Sequence, residues 1–287
     1  MTERVRFYSV FLLGWLFVIY EYALRVSDSV ILPQLQQTLG FSADKLSALS
    51  SAYYFTYVIG MIPAGVIIDR IGLYRSWLIA ITTVSAGAAL FASGHDLTLL
   101  IIARILMGAG SAFAIIGVFA LSLSRKHSGL LVGITMAVGM AGAILGQGPF
   151  LSLTDLLGQW RLTFWVACAL GLVLLIIWSL IGLALSGNAL PRMECKAFRE
   201  TLLILLRSKF FWIMAVFIGC LSAPQTAFMA LWGPRFLSVQ YQLPSESAAY
   251  VNSLISLGGL FGGILLGWVG DFFEDAKWLL FIIGRVS

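Results

Sequence analysis

Eight stretches of this chain, at about 7–32, 46–68, 74–93, 97–122, 129–151, 162–186, 210–233 and 247–270, stay apolar over the length a membrane helix needs. The hydrocarbon core of a bilayer is about 30 Å thick, so a helix crosses it in roughly 20 residues. Backbone N–H and C=O groups in lipid have no water to bond, which leaves the helix as the conformation for such runs. With 60% hydrophobic and only 11% charged residues among 287, the chain cannot be a single soluble globule and has no room for a sizeable domain outside the membrane. A ninth apolar run starts near Lys277 and reaches Ser287. Ten helical residues rise only about 15 Å, so this sequence is expected to stop inside the membrane. The expectation is an all-α, multi-pass integral membrane protein.

The net charge of +5 comes from basic residues scattered between apolar runs, which points away from nucleic acid and towards loop bias. Twelve Lys and Arg fall in one set of alternate loops (at 4, 6, 70, 75, 125, 126, 192, 196, 199, 207, 209 and 277) and three in the other (Lys45, Arg161, Arg235). Basic residues resist translocation, so the N-terminus is expected in the cytoplasm of an inner (plasma) membrane. Arg4 and Arg6 before an apolar run imitate a signal peptide, yet no small-residue cleavage site follows. Cys168, Cys195 and Cys220 fit neither a disulfide framework nor a zinc spacing and read as apolar filler.

The longest connection, 187–209, is basic, with Phe198, Leu202, Leu205 and Leu206 near helical spacing, as in an interfacial amphipathic helix. It separates six spans (1–186) from a second unit (210–287). A shift of 202 positions superposes Gly65 and Asp69 on Gly267 and Asp271, which suggests that the second unit restarts the first.

Pro63-Ala-Gly65-Val-Ile-Ile-Asp69-Arg70-Ile-Gly72-Leu-Tyr-Arg75 resembles the signature loop between helices two and three of the major facilitator superfamily. The resemblance implies that Gly65 lets two helices approach, that Asp69 pairs with a base or faces a helix N-terminus, and that Gly72 makes the turn. Family members usually have two basic residues after the second glycine; here Leu73-Tyr74 intervene and only Arg75 remains. Arg104-Ile-Leu-Met-Gly108-Ala-Gly110-Ser-Ala112 resembles a second signature, whose arginine is associated with proton coupling or substrate binding; a structural ion pair is the other reading. The glycines at 133, 139, 142, 146 and 148 resemble the family's rocker helix, with Gln147 displacing the Gly-Pro step found in antiporters.

Glu21, Arg25 and Asp28 are spaced i, i+4, i+7 and share one helix face. An ionised carboxylate facing lipid near mid-span would cost several kcal/mol, so Glu21 is expected to face the bundle and pair with Arg25. Two readings stay open. Arg25 anchors an anionic substrate group while Glu21 or Asp28 accepts a proton, or the trio is a self-neutralised structural pair with Asp28 at the outer surface. Tyr53, Tyr54, Tyr57, Gln225 and Thr226 could line a cavity or simply bond between helices; Asn252, Ser253 and Ser256 carry weaker signals.

Catalytic motifs, metal-ligand clusters and cofactor loops are absent from the sequence, so neither an enzyme nor a cofactor is expected. The resemblance implies a helical bundle with a complete six-helix N-terminal half and a partial C-terminal half. The stretch from Tyr20 to Pro33 is most similar to bacterial members related to organic-anion symporters and lysosomal dipeptide carriers. The function implied is secondary transport of a small organic solute, anionic or a peptide, by alternating access, with a proton or other ion as partner. Substrate would contact Arg25, with Arg104 and Gln225. The alternative is a truncated relic or fragment without independent activity.

Overall fold

The computed structural model describes residues 3–123, 128–185 and 206–272. The amphipathic linker, His127 and the ninth apolar run lie wholly or largely outside them. The described residues form α1 (Glu3–Val26), α2 (Asp28–Leu39), α3 (Ala43–Ile71), α4 (Leu73–Ser93), α5 (Leu97–Leu123), α6 (Ser128–Leu145), α7 (Gly148–Leu157) and α8 (Trp160–Leu185), then α9 (Lys209–Ala227), a π-helical turn (Phe228–Trp232), α10 (Gly233–Tyr241) and α11 (Ser245–Phe272). Eight segments among these have the length and hydropathy to cross a membrane, the fifth joining α6 to α7 and the seventh joining α9 to α10.

Three of the apolar runs, continuous in sequence, are interrupted in the structure. The first breaks at Ser27, which keeps right-handed helical angles, so the chain hardly bends. There the Ser27 hydroxyl donates to Leu24 O and that of Ser29 to Val26 O, competing with the helix's own ladder. The fifth run breaks at Gln147 (φ −108°, ψ −102°), after which Pro149 suits the first turn of α7.

The seventh run owes its π turn to Pro234. A proline ring clashes with the carbonyl four residues back and offers no N–H. The chain inserts a residue instead, and Gly233 N–H donates to Phe228 O, five residues earlier. That leaves Met229 O with neither an α donor, since Gly233 is spent, nor a π donor, since residue 234 is proline.

Close helix approach explains the glycines. A Cβ on Gly146 would sit 2.2 Å from Ala23 O, and one on Gly133 would sit 2.3 Å from Gly263 O. The fifth span therefore lies backbone to backbone on α1 along one side and on α11 along the other. The core lies mainly within the first six spans, around Phe17, Trp77, Phe91, Trp160 and Trp178, and Met229, Ala230 and Ala249 of the following two join it. By contrast, α9 contributes no buried residue.

Candidate substrate and coupling site

Two buried ion pairs lie where α1, α3 and α5 meet. Arg25 Nη2 is 2.9 Å from both carboxylate oxygens of Glu21, which is fully buried. One turn on, Arg104 Nη2 lies 3.1 Å from Asp28 Oδ2, both side chains being wholly buried. Asp28 is thus an interior group, and the alternative that placed it at the outer surface is set aside. Its second partner is the Ser50 hydroxyl.

Tyr53 connects the two pairs. Its hydroxyl donates to Glu21 Oε2 at 3.1 Å, and the Arg104 guanidinium lies over its ring at 4.6 Å. The Arg25 guanidinium is clamped between the faces of Tyr22, at 4.1 Å, and Tyr57, at 4.0 Å. Ring quadrupoles attract a cation there, so the two rings hold the charge in addition to the hydrogen bonds that Nη2 gives to Glu21. Arg25 keeps 12% of its side chain exposed.

Arg104 is committed differently. Its Nη1 donates to Leu24 O at 2.9 Å and its Nη2 to Arg25 O at 3.1 Å. A helix end leaves carbonyls without intrahelical donors, and Arg104 caps those of α1 while neutralising Asp28. Its donors are thus shared between one carboxylate and two backbone carbonyls. Gln225, the expected third substrate contact beside Arg25 and Arg104, is exposed on α9 and makes no described hydrogen bond to either arginine. The reason is that α9 packs little of its surface against the first six spans.

The signature loop turns where expected: Gly72 has φ +82°, a conformation that favours glycine, and its N–H donates to Ile68 O. Arg70 and Arg75 are exposed and Asp69 is half-buried. Gly65 departs from the expectation of close helix approach, since a Cβ there would meet nothing within 4 Å. No described element covers that face of α3. Asp271, the counterpart of Asp69, caps a helix: its Oδ1 accepts from Gly129 N at 2.9 Å and its Oδ2 accepts from Leu130 N at 2.7 Å. A carboxylate so placed complements the positive end of α6.

A second polar cluster received little weight from the sequence. Asn252 Nδ2, on α11, donates to Met229 O at 2.8 Å and to Gln147 Oε1 at 2.6 Å. It thereby satisfies the carbonyl that Pro234 leaves without a donor. The available signal was a carboxamide within each of two apolar runs. Their convergence depends on the two helix interruptions, which no spacing rule reveals. Towards the same end of the bundle, Ser152 donates to Glu246 Oε1 at 2.8 Å and Arg235 donates to Gln36 Oε1 at 3.3 Å. These contacts tie the first six spans to the two that follow.

Paired charges buried among eight apolar spans, with helices interrupted beside them, define a polytopic membrane protein of the carrier type. The chain belongs to the Major Facilitator Superfamily, whose sequence model matches residues 10–286. It is 26% identical to a probable L-galactonate transporter of Escherichia coli (strain K12), over 94% of this chain and 62% of the relative. It is 25% identical to a probable galactarate/D-glucarate transporter of Bacillus subtilis (strain 168), over 93% and 65%. The chain thus spans less than two thirds of these relatives' length. Among solved structures, a D-xylose-proton symporter matches with a TM-score of 0.60 at 15% identity, covering 88% of this chain and 66% of that one. A fucose transporter in the outward conformation matches with a TM-score of 0.59 at 20% identity, covering 93% and 72%. Both share the fold, and the family is one of transporters rather than enzymes.

Proposed function

We propose that this chain is part of a secondary carrier for a hydroxylated carboxylate of the sugar-acid class. In this reading 1–186 is the first half, 187–209 the linker and 210–287 the start of the second half. The observation that carries it is Arg25: a guanidinium clamped between two tyrosine faces inside the bundle, partly exposed, and balanced by a carboxylate one turn away. A substrate carboxylate reaching Arg25 competes with Glu21 for the guanidinium. Glu21, displaced, is left buried and takes up a proton, because an unpaired carboxylate in that setting is costly. Binding of an anion and of a proton are thereby linked at one residue pair, the requirement for proton symport. The names of the two sugar-acid relatives support the substrate class. The charge bias of the loops supports an inner-membrane location with the N-terminus in the cytoplasm.

The test is uptake of radiolabelled L-galactonate, galactarate and glucarate into proteoliposomes with an imposed proton gradient. It is run on this chain and on a form extended by the additional length its relatives have. Arg25→Lys is expected to abolish uptake with unchanged membrane insertion, because a point charge replaces a planar fork. Uptake equal to that of the unmodified carrier would remove Arg25 as the anchor.

A further inference from the structure

We propose that the cavity between α2 and α10 is a second anion site, an entry site for the solute's carboxylate, with Arg235 as its cation. The proposal deepens the sugar-acid reading and rests on it for the class of solute.

Helical periodicity builds the cavity. Ser29, Pro33 and Gln36 lie at i, i+4 and i+7 along one face of α2, Arg235 and Ser238 share a face of α10, and Ser245 opens α11. All six line a space of about 220 Å³. At roughly 30 Å³ per water in the liquid, that is the share of about seven waters, room for a carboxylate and the hydroxylated carbons beside it. Ser29 follows Arg25 by four residues, about 6 Å of helical rise, and the chain stays helical through the break at Ser27. The cavity therefore starts one turn beyond Arg25 and follows α2 towards the end of the bundle opposite the N-terminus. In the orientation proposed above, that end faces outside.

Arg235 is the one charged residue of the lining, and most of its donors are unspent. Its one described hydrogen bond runs from Nη1 to Gln36 Oε1 at 3.3 Å, beyond the usual range for such a donor. Among the described residues the ion pairs are those of Arg25 with Glu21 and of Arg104 with Asp28, and neither involves Arg235. Two carboxylates at this end of the bundle are engaged elsewhere: Glu246 accepts from Ser152 and Asp155 from Gln34. Arg161, at the same end, is by contrast committed to the fold, donating to Gly94 O at 2.8 Å and lying over the Trp160 ring at 4.3 Å. An ionised acceptor makes a shorter and stronger bond to a guanidinium than a carboxamide oxygen does. A carboxylate entering the cavity thus displaces Gln36 from Arg235, and the hydroxyls of Ser238 and Ser245 are placed to bond its second oxygen or a neighbouring solute hydroxyl.

The test labels arginines with phenylglyoxal in the full chain reconstituted into phosphatidylcholine nanodiscs and reads each site by mass spectrometry of the digests. A ligand at a single site slows labelling there by a factor of 1 + [L]/Kd, about tenfold at ten times Kd. L-galactonate is expected to slow Arg235 to that extent. Galactitol, the uncharged polyol of the same length, and sodium chloride at equal ionic strength are expected to change it by less than about twofold. Gln36→Glu sets one of the chain's own carboxylates against Arg235 and is expected to bring the galactonate effect below about twofold.

Arg235 labelling unchanged by galactonate would overturn the entry site, and equal protection by galactitol or chloride would overturn carboxylate recognition there. Slowing seen only when phosphatidylglycerol is added, with no further effect of galactonate, would assign Arg235 to a lipid phosphate instead. Should Gln36→Glu fail to fold, galactonate against galactitol in the unmodified chain decides. Arg25, read in the same digests, keeps the two readings apart. Protection of Arg25 alone leaves the sugar-acid reading and removes the entry site, whereas protection of Arg235 alone keeps the entry site and removes Arg25 as the anchor.

Discussion

Arg104 and Asp28 form a wholly buried pair 3.1 Å apart, and removing either charge strands the other among apolar helices. At an effective dielectric of about 20, two unit charges at that distance attract by about 5 kcal/mol. Breaking a buried pair by losing one partner costs about 3–5 kcal/mol, because the remaining charge is uncompensated. Asp28→Asn keeps the volume and a group that can bond Ser50, so its effect isolates the charge. Arg104→Gln keeps an amide that can still bond a carbonyl at the end of α1. Each single substitution is expected to lose 3–5 kcal/mol, about 6–20 °C in the apparent Tm at roughly 2–4 °C per kcal/mol for a chain of this size. The double substitution is expected to lose less than the sum, and less than Arg104→Gln alone, since it leaves no orphan charge. Thermal unfolding in detergent, followed by tryptophan fluorescence, reads all four proteins. Strict additivity of the two losses would refute the pairing argument, because groups that do not interact add.

Three further outcomes follow from the packing and the helix cap. Gly146→Ala forces a Cβ to 2.2 Å from the backbone oxygen of Ala23 and is expected to destabilise by about 1–3 kcal/mol. Gly65→Ala, with open space around it and mid-helix in α3, is expected to be neutral or to stabilise by about 0.5–1 kcal/mol; parallel thermal shifts of the two variants check this, and equal shifts would contradict it. Asp271→Ala removes both acceptors from the first turn of α6 and is expected to cost about 0.5–2 kcal/mol, as N-cap loss does. Hydrogen exchange at Gly129 and Leu130 should accelerate in the variant, and unchanged protection there would rule the cap out.

Much of this molecule was legible from hydropathy, because the bilayer imposes one length and one hydrogen-bonding solution on every span. The eight spans and the common face of Glu21, Arg25 and Asp28 follow from that constraint and from the 3.6-residue period, while the turn at Gly72 came from the resemblance of its loop to the family signature. Helix spacing also made Glu21 and Arg25 neighbours before any tertiary contact was known. What sequence could not decide was how each charge is used across helices. Arg104 stood as a substrate or coupling candidate, and only the placement of α5 against the break at Ser27 turns its donors onto Asp28 and two carbonyls. Gly65 lacks the close helix approach expected of it for the complementary reason, that no described helix comes within reach of a Cβ there. The cluster of Gln147, Asn252 and Met229 O was the least visible feature. Its cause is local, a proline that forces an extra residue into a helical turn, but its completion is not. The carbonyl that Pro234 leaves without a donor is satisfied by a side chain 23 residues further on, which in turn bonds one 105 residues earlier. Sequence determines where backbone groups lose their partners, and the packing of helices determines which distant side chains replace them.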